Sequence, residues 1–486
     1  LLLTEQGAAS LARLPMLGAY RAGRPKKTPV LIVWHDSADQ ALSNGGLSLS
    51  NIDGQWQLEA LHPRPFDGWA PATPALLLAK AAAPELLPTD LLDGAPLAPF
   101  AAFSGHRRDV PLAINGSPAR LSLLEGELRG VVEQLPVHRL LLAGPPQAMA
   151  KLAARLAEQI PLGVPRASLG AEARALATGA EAAPRPRGGP EVPAGSSVGG
   201  ALSVIIAQLA EAIHFWAPRL GTAETEEPVH QMRVALRRLR SALSIFRRAV
   251  RDDPAWLDSL AGELKSLAAT LGIARDWDAF IAGLGTELAE ACPGDKRLTQ
   301  MLATAARKRD AAYAALRSFM HSHEWQRLGL AIALLPTLRP WDEQASPEQA
   351  ARLQSPAASY AAGALSRALK HLLQAGESLE GIHAEQLHDI RKQAKRLRYT
   401  IEFFAPLFPE KQVRRYLSRL EGLQEDFGTF NDAAVAATLA ASLGTGTDRA
   451  FAAGAVQGYA AAAQIRATRQ VTRGWSRFYR ATPFWD

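Results

Sequence analysis

The sequence predicts a multidomain α+β protein, with an antiparallel β-rich part over residues 1–179 and an all-α part over 201–486 made of two pseudo-symmetric helical bundles. Three observations predict it. Strand and hairpin signals are confined to the first part. Residues 180–200, rich in Pro, Gly and Ser, read as a linker that cannot pack a core. Beyond it, Ala, Leu and Arg recur at helical spacing, and one block of residues occurs twice.

In the first part, Val30–Trp34 is a β-branched and aromatic run. Gly46–Ser50 and Gln55–Ala60 flank Asn51–Ile52–Asp53–Gly54, where Asp-Gly tolerates the positive φ of a tight turn; together they read as a hairpin. Arg139–Ala143 is a further apolar strand, and Ala148–Gln159 an amphipathic helix. In the second part, helix breaks fall near Ala217–Pro228, Asp252–Pro254, Cys292–Gly294, Leu335–Pro340, Ser355–Pro356 and Pro406–Pro409. Long antiparallel helices remain, one repeat over about 201–335 and a second over about 356–486.

Composition narrows the function. No run of 18 uncharged apolar residues occurs, so no membrane span is expected; the longest candidate, Val204–Trp216, contains Gln208, Glu211 and His214. The chain opens Leu1–Leu2–Leu3 without a Met, and no secretory signal is legible there. The single cysteine, Cys292, excludes a disulfide framework within the chain and fits a reducing, cytoplasmic location. Net charge is +7. Residues 1–200 hold 18 basic and 17 acidic side chains, residues 201–486 hold 36 and 30, so the excess sits in the helical part. A basic half points to an acidic partner: polyphosphate, nucleic acid or a membrane surface.

The repeat locates that charge. His230–Gln231–Met232–Arg233–Val234–Ala235–Leu236–Arg237–Arg238–Leu239–Arg240 matches His388–Asp389–Ile390–Arg391–Lys392–Gln393–Ala394–Lys395–Arg396–Leu397–Arg398. Each copy has His, then basic residues three, seven, eight and ten positions on, with Leu at nine; Phe246 and Phe404 also correspond. A second block follows, in which Leu264, Leu267, Leu271, Gly272, Arg275 and Asp276 align with Leu420, Leu423, Phe427, Gly428, Asn431 and Asp432. On an α-helix, offsets 0, 3, 7 and 10 fall within an arc of roughly 80°. His230, Arg233, Arg237 and Arg240 therefore share a face, as do His388, Arg391, Lys395 and Arg398. Like charges at this spacing repel, and acidic residues are nearly absent from the stripe, so an external anion is the economical partner. A single stripe is commonly only a solvated face; its repetition argues for a binding groove. Pro228 and the acidic pair Glu226–Glu227 place His230 near a helix start, where free N–H groups attract phosphate oxygens. Gly272 and Gly428 read as packing or capping glycines, and Asp276 and Asp432 as residues that orient arginines.

The His-x-x-Arg-x-x-x-Arg/Lys-Arg-x-Arg blocks, with Leu-Gly-x-x-Arg-Asp, Phe-Gly-x-x-Asn-Asp and Tyr399 with Glu402–Phe403–Phe404, resemble the CHAD domain, the conserved histidine α-helical domain, over about 200–486. The resemblance implies two bundles about a basic cavity, polyphosphate binding and association with polyphosphate granules. The candidate polyphosphate-binding set is His230, Arg233, Arg237, Arg238, Arg240, Lys265, Arg275, His388, Arg391, Lys392, Lys395, Arg396 and Arg398. No catalytic residue, metal or cofactor is expected. The N-terminal part resembles, over fewer residues, a CYTH domain, the triphosphate tunnel or barrel fold. Trp34–His35–Asp36–Ser37, Gly46–Leu47–Ser48–Leu49–Ser50, Gln55–Trp56–Gln57–Leu58 and Arg166–Ala167–Ser168–Leu169–Gly170 stand where its motifs would be. Ser48 and Ser50 replace expected arginines, Arg139–Ala143 replaces a Glu-x-Glu strand, and the opening Glu-x-Glu-x-Lys is absent or truncated. Without carboxylates Mg²⁺ has no oxygen cage, so a fold remnant without triphosphatase activity is expected. The alternatives are an active triphosphatase of this class carrying a CHAD appendage, a nucleic-acid-binding helical protein, and a metal site between His230 and His388.

Overall fold

A computed structural model describes the chain except for residues 12, 62–75, 79–91, 93–94, 184, 187, 221–225, 253–254, 344, 445 and 486; of 76–78 it describes the backbone. The expected breaks at 217–228 and 252–254 thus lie partly outside the described residues. The chain divides into two compact units, Leu1–Pro186 with His321–Arg339, and Arg187–Met320 with Pro340–Asp486.

The first unit is built on β1 (Leu2–Leu3), β2 (Lys26–Asp36), β3 (Leu47–Ile52), β4 (Gln55–Ala60), β5 (Leu76–Leu78), β6 (Ala98–Ile114), β7 (Ser117–Arg129), β8 (Gln134–Ala143) and β9 (Leu162–Gly163). These form one antiparallel sheet in the order β5-β4-β3-β2-β6-β7-β8-β1-β9. Short helices α1 (Glu5–Leu11), α2 (Pro15–Gly18) and α3 (Ala41–Asn44) fill its connections, and α4 (Pro146–Ala157) and α5 (Leu169–Thr178) follow β8. The expected hairpin is β3–β4, turning at Asp53 (φ 49°) and Gly54 (φ 89°). The expected tunnel differs: among the described residues the end strands β5 and β9 do not pair with each other, and the sheet is left open. One apolar cluster joins Val30, Trp34, Phe103 and Leu128 to Ala173 of α5. A second joins Leu112, Leu121 and Leu140 to Leu152 and Leu156 of α4.

The second unit is helical. Its elements are α6 (Val198–Trp216), α7 (Glu227–Phe246), α8 (Ala255–Ala282), α9 (Leu284–Ala291) and α10 (Lys296–Met320), then α12 (Pro347–Gln354), α13 (Ala357–Leu373), α14 (Ala384–Phe404), α15 (Glu410–Ala441) and α16 (Thr447–Tyr479). The intervening helix α11 (His323–Leu338) was expected to close the first repeat. It lies instead in the first unit, where Leu330 is buried in the α4 cluster and His323 meets the Ala157 carbonyl at 2.9 Å. Pro336 falls in its last turn, and Arg339 ends it in the left-handed region. The linker expectation also needs correcting. Val192 and Val198 are fully buried, Glu191 N–H donates to Gln208 (2.8 Å), and Ser197 caps α6, which begins at Val198. Two valines among the glycines and prolines suffice to anchor the strand of chain. Val198–Leu220 has the length and hydropathy to cross a bilayer, yet 72% of that window is buried inside the protein, the signature of a core helix.

The two copies meet like against like. Val198 N–H donates to the Ser355 carbonyl and Ala357 N–H to that of Ser196, both at 2.9 Å, a reciprocal pair between equivalent positions. The corresponding rings Phe246 and Phe404, each essentially inaccessible to solvent, lie 5.8 Å apart. Helix α7 packs on α14 and α8 on α15. This is the contact pattern of a local two-fold, in which residue i meets its own copy.

Candidate functional site: a basic cavity on the local two-fold

Helix α7 becomes a helix with one cationic face because its apolar positions, Met232, Leu236, Leu239 and Leu243, fall on the other and are buried. Ile390, Ala394, Leu397 and Ile401 do the same for α14. Packing these stripes inward turns the charged faces of the two copies toward each other. A cavity of about 490 Å³ opens there, lined by His230, Arg233 and Arg237 of α7, Arg275 and Asp276 of α8 and Arg391 of α14, with Asn431 and Asp432 of α15 opposite.

The cations differ in how they are balanced. Arg233 shares Asp276 (3.8 Å), and Arg275 is tied to Glu226 (2.7 Å). Arg238 and Arg398 both hold Glu402 (2.9 and 2.6 Å), and Arg398 also reaches Glu421 (3.1 Å). Arg237, Arg391 and Lys395 pair with no carboxylate among the described residues. Arg237 donates to the hydroxyl of buried Tyr399, and the Arg391 Nε is buried without a partner. Burial, then Arg237, Arg391 and Arg233, push the Lys395 ammonium down to about 7. Its own counter-charge, Asp432, does not offset them. Burial, then Asp432, also pushes the Asp276 carboxyl up against the opposing pull of Arg233.

Of the other predicted residues, His230 lines the cavity, and burial followed by Arg275 holds it below the usual histidine range. His388 is exposed beside Asn431 and is likewise lowered, by burial, Lys392 and Arg391. Both are thus pushed toward the neutral imidazole. Arg240 and Lys265 are exposed and do not line the cavity. Lys392 is exposed and paired with Asp389 (3.0 Å). Arg396 faces away from this group, toward Arg248 and Arg367.

Two contributions escaped the sequence reading. Arg466 of α16 lines the cavity; the signal was the 466, 469, 473 arginine spacing, outside the repeated blocks. Gly272 is a packing glycine inside α8, not a cap. A Cβ there would stand 2.7 Å from Arg233 Nη1, so its absence seats the guanidinium, whereas Gly428 has open space.

Residues 204–441 match the family model of the CHAD domain, and the chain carries a CHAD domain there. A solved structure agrees: the chain is similar to the crystal structure of the CHAD domain from the plant Ricinus communis, with 28% identity and a TM-score of 0.51, over 60% of this chain and 95% of that one. Uncharacterized proteins from two strains of Mycobacterium tuberculosis, CDC 1551 and H37Rv, are 30% identical over 199 residues, 40% of this chain. The matched region spans 37% of the length of those relatives.

The glycine difference is testable. Ala is favoured over Gly in an open helix interior by about 1 kcal/mol. Gly428→Ala should therefore raise the thermal midpoint, while Gly272→Ala should lower it by displacing Arg233; equal shifts would remove the seat assigned to Gly272. The lysine gives a second test. Unfolded Lys395 holds its proton to about pH 10.4, whereas the folded residue releases it near 7. Between those values the unfolded state binds more protons, so this group makes stability rise with pH. Lys395→Met should flatten that rise in urea titrations run from pH 7 to 10.

Proposed function

We propose that the helical unit binds inorganic polyphosphate without catalysis, and that this binding places the protein at polyphosphate granules in the cytoplasm. The observation that carries the reading is the trio Arg237, Arg391 and Lys395, all half-buried and, among the described residues, without a carboxylate at ion-pair distance; Arg237 and Arg391 line the open cavity, and Lys395 lies within their field outside its lining. A chain of phosphates supplies the missing charge along a line, which a single carboxylate does not. Arginine forks match phosphate oxygens in pairs, and lysine adds a point charge. The CHAD match supports the choice, since that family is associated with polyphosphate. Aromatic stacking platforms favour nucleic acid; here Phe280 is buried and Tyr459 is within 3.4 Å of Glu287.

For the first unit we propose a degenerate, opened relative of the triphosphate-tunnel fold, without hydrolytic activity. Ser48 and Ser50 are buried, and a Cβ on Gly170 would stand 2.3 Å from Ser48 Oγ and 3.0 Å from Trp34 Nε1. Helix α5 thus packs where basic strand residues would face a substrate. Asp36, at the strand end, is consumed by the N–H groups of Ser37, Leu42 and Ser43 and the Ser43 hydroxyl.

Titrating the full chain with long-chain polyphosphate should give an affinity that falls steeply with salt through counterion release. Changing Arg233, Arg237, Arg391 and Lys395 together to Glu should abolish binding with helicity kept, and each single loss should lower the salt slope by about 1. Affinity retained by the quadruple variant would refute the site; tighter binding of nucleic acid at matched charge would reassign the ligand. Incubation with Mg²⁺ and tripolyphosphate should release no phosphate above the protein-free blank, and rapid release would restore the enzymatic reading.

A further inference from the structure

Away from the basic cavity, a smaller one of about 160 Å³ opens in the helical unit between α10, the α15–α16 connection and the start of α16. Pockets that take drug-sized ligands run to roughly 300–1,000 Å³, so this one has room for a single small molecule. Its floor is apolar: Met301, Leu443 and Ala452 are buried members of the cluster that packs α8, α10, α15 and α16 together. Its walls are polar and charged, with Arg297, Thr304 and Arg307 at helical spacing along α10 and Asp448 and Arg449 in the first turn of α16.

The three arginines are not equivalent. Arg297 is already engaged: it holds both oxygens of Asp295 (3.0 and 2.6 Å) and lies 3.4 Å from the centre of the Phe451 ring. Arg307 donates to the Thr304 hydroxyl (3.1 Å), and Arg449 folds back over Gly444, where a Cβ would stand 2.9 Å from its Nη1. Gly444 makes that turn at φ 110°, a conformation that favours glycine. Neither Arg307 nor Arg449 pairs with a carboxylate among the described residues. Asp448, in the same lining, offsets one of the two charges, so a single positive charge is left over an apolar floor.

We propose that this cavity binds a small aliphatic carboxylate, its head between Arg307 and Arg449 and its hydrocarbon tail against Met301, Leu443 and Ala452. Among the described residues the site shares no lining side chain with the basic cavity, and the inference does not rest on polyphosphate binding. A carboxylate matches the guanidinium fork in pairs of hydrogen bonds, and its one negative charge equals the excess. A phosphoryl group carries about −1.5 to −2 at neutral pH. It would meet Asp448 with charge to spare and cover none of the floor. A neutral alcohol would cover the floor and leave both guanidinium groups unanswered.

The test uses the full chain, with valerate as the probe and calorimetry as the readout. Arg307→Gln/Arg449→Gln changes two exposed side chains and should weaken valerate binding about tenfold or more, with the thermal midpoint of the free protein kept. Ala303→Trp, at an exposed position of the lining, should block the cavity by bulk and give the same loss with every charge in place. Acetate should bind more weakly than valerate, by up to about fourfold for each CH2 that the floor covers. Unchanged valerate affinity in either variant overturns the proposal, whatever becomes of polyphosphate binding to the basic cavity. Equal binding of acetate and valerate overturns it too, since the arginines would then hold a bare anion. Valine bound more tightly than valerate would mean that Asp448 reads an ammonium, and the ligand would not be a simple carboxylate.

Discussion

Arg237, Arg391 and Lys395 are held against one another with Asp432 as the one carboxylate acting on Arg391 and Lys395 and with no ion pair of their own among the described residues, and the architecture around them follows from that constraint. Mutual repulsion of half-buried cations favours separating the helices that carry them. What opposes it is apolar: Phe246 against Phe404, the leucine faces of α7 and α14, and the reciprocal backbone pair that clips the starts of α6 and α13. Fully burying one large apolar side chain contributes about 1.5–3 kcal/mol, so a few such contacts hold the charged faces in place. The depressed lysine records the remaining strain. Burial first, and then the neighbouring guanidinium groups, bring its proton loss down to about 7.

The duplication explains why the charges converge at all. A local two-fold sets each residue near the axis against its own copy. A cation facing the axis then meets a cation, Arg233 beside Arg391, and a carboxylate meets a carboxylate, Asp276 beside Asp432. Divergence between the copies has since relieved some of these encounters and left others. Glu402 neutralises Arg238 and Arg398 together, while its counterpart Ser244 neutralises nothing. Gly272 seats a guanidinium, and its counterpart Gly428 faces open space.

The cationic stripes were legible in the sequence because helical periodicity is a local property, and two copies of one pattern leave little room for coincidence. Their partners were not. Glu226, Glu402 and Glu421 come from outside the stripe or beyond its end, so spacing alone could not divide the neutralised arginines from the free ones. The departure of Arg396 has the same origin, since offset eight leaves the face defined by offsets zero, three and seven. In the first unit the hairpin at Asp53–Gly54 was legible, while the longer β6–β7 hairpin was passed over although Asn115–Gly116 (φ 51° and 77°) carries the same turn signal. The place of α11 is a tertiary fact: its sequence says helix, and only the packing of Leu330 assigns it to the first unit.

The histidines illustrate how chemistry and position can part. Both sit near helix starts in equivalent places, which invites a role as paired cations or as metal ligands. Burial and then neighbouring cations, Arg275 for His230 and Lys392 with Arg391 for His388, push each toward the neutral imidazole. A neutral imidazole can ligate a metal, but Arg275 stands beside His230, and Arg391 and Lys392 beside His388. A divalent cation entering that field would be repelled by these cationic groups. The permanent positive charge of the cavity therefore resides in arginine, which stays protonated at any physiological pH, while burial and the guanidinium groups lower Lys395 to about 7.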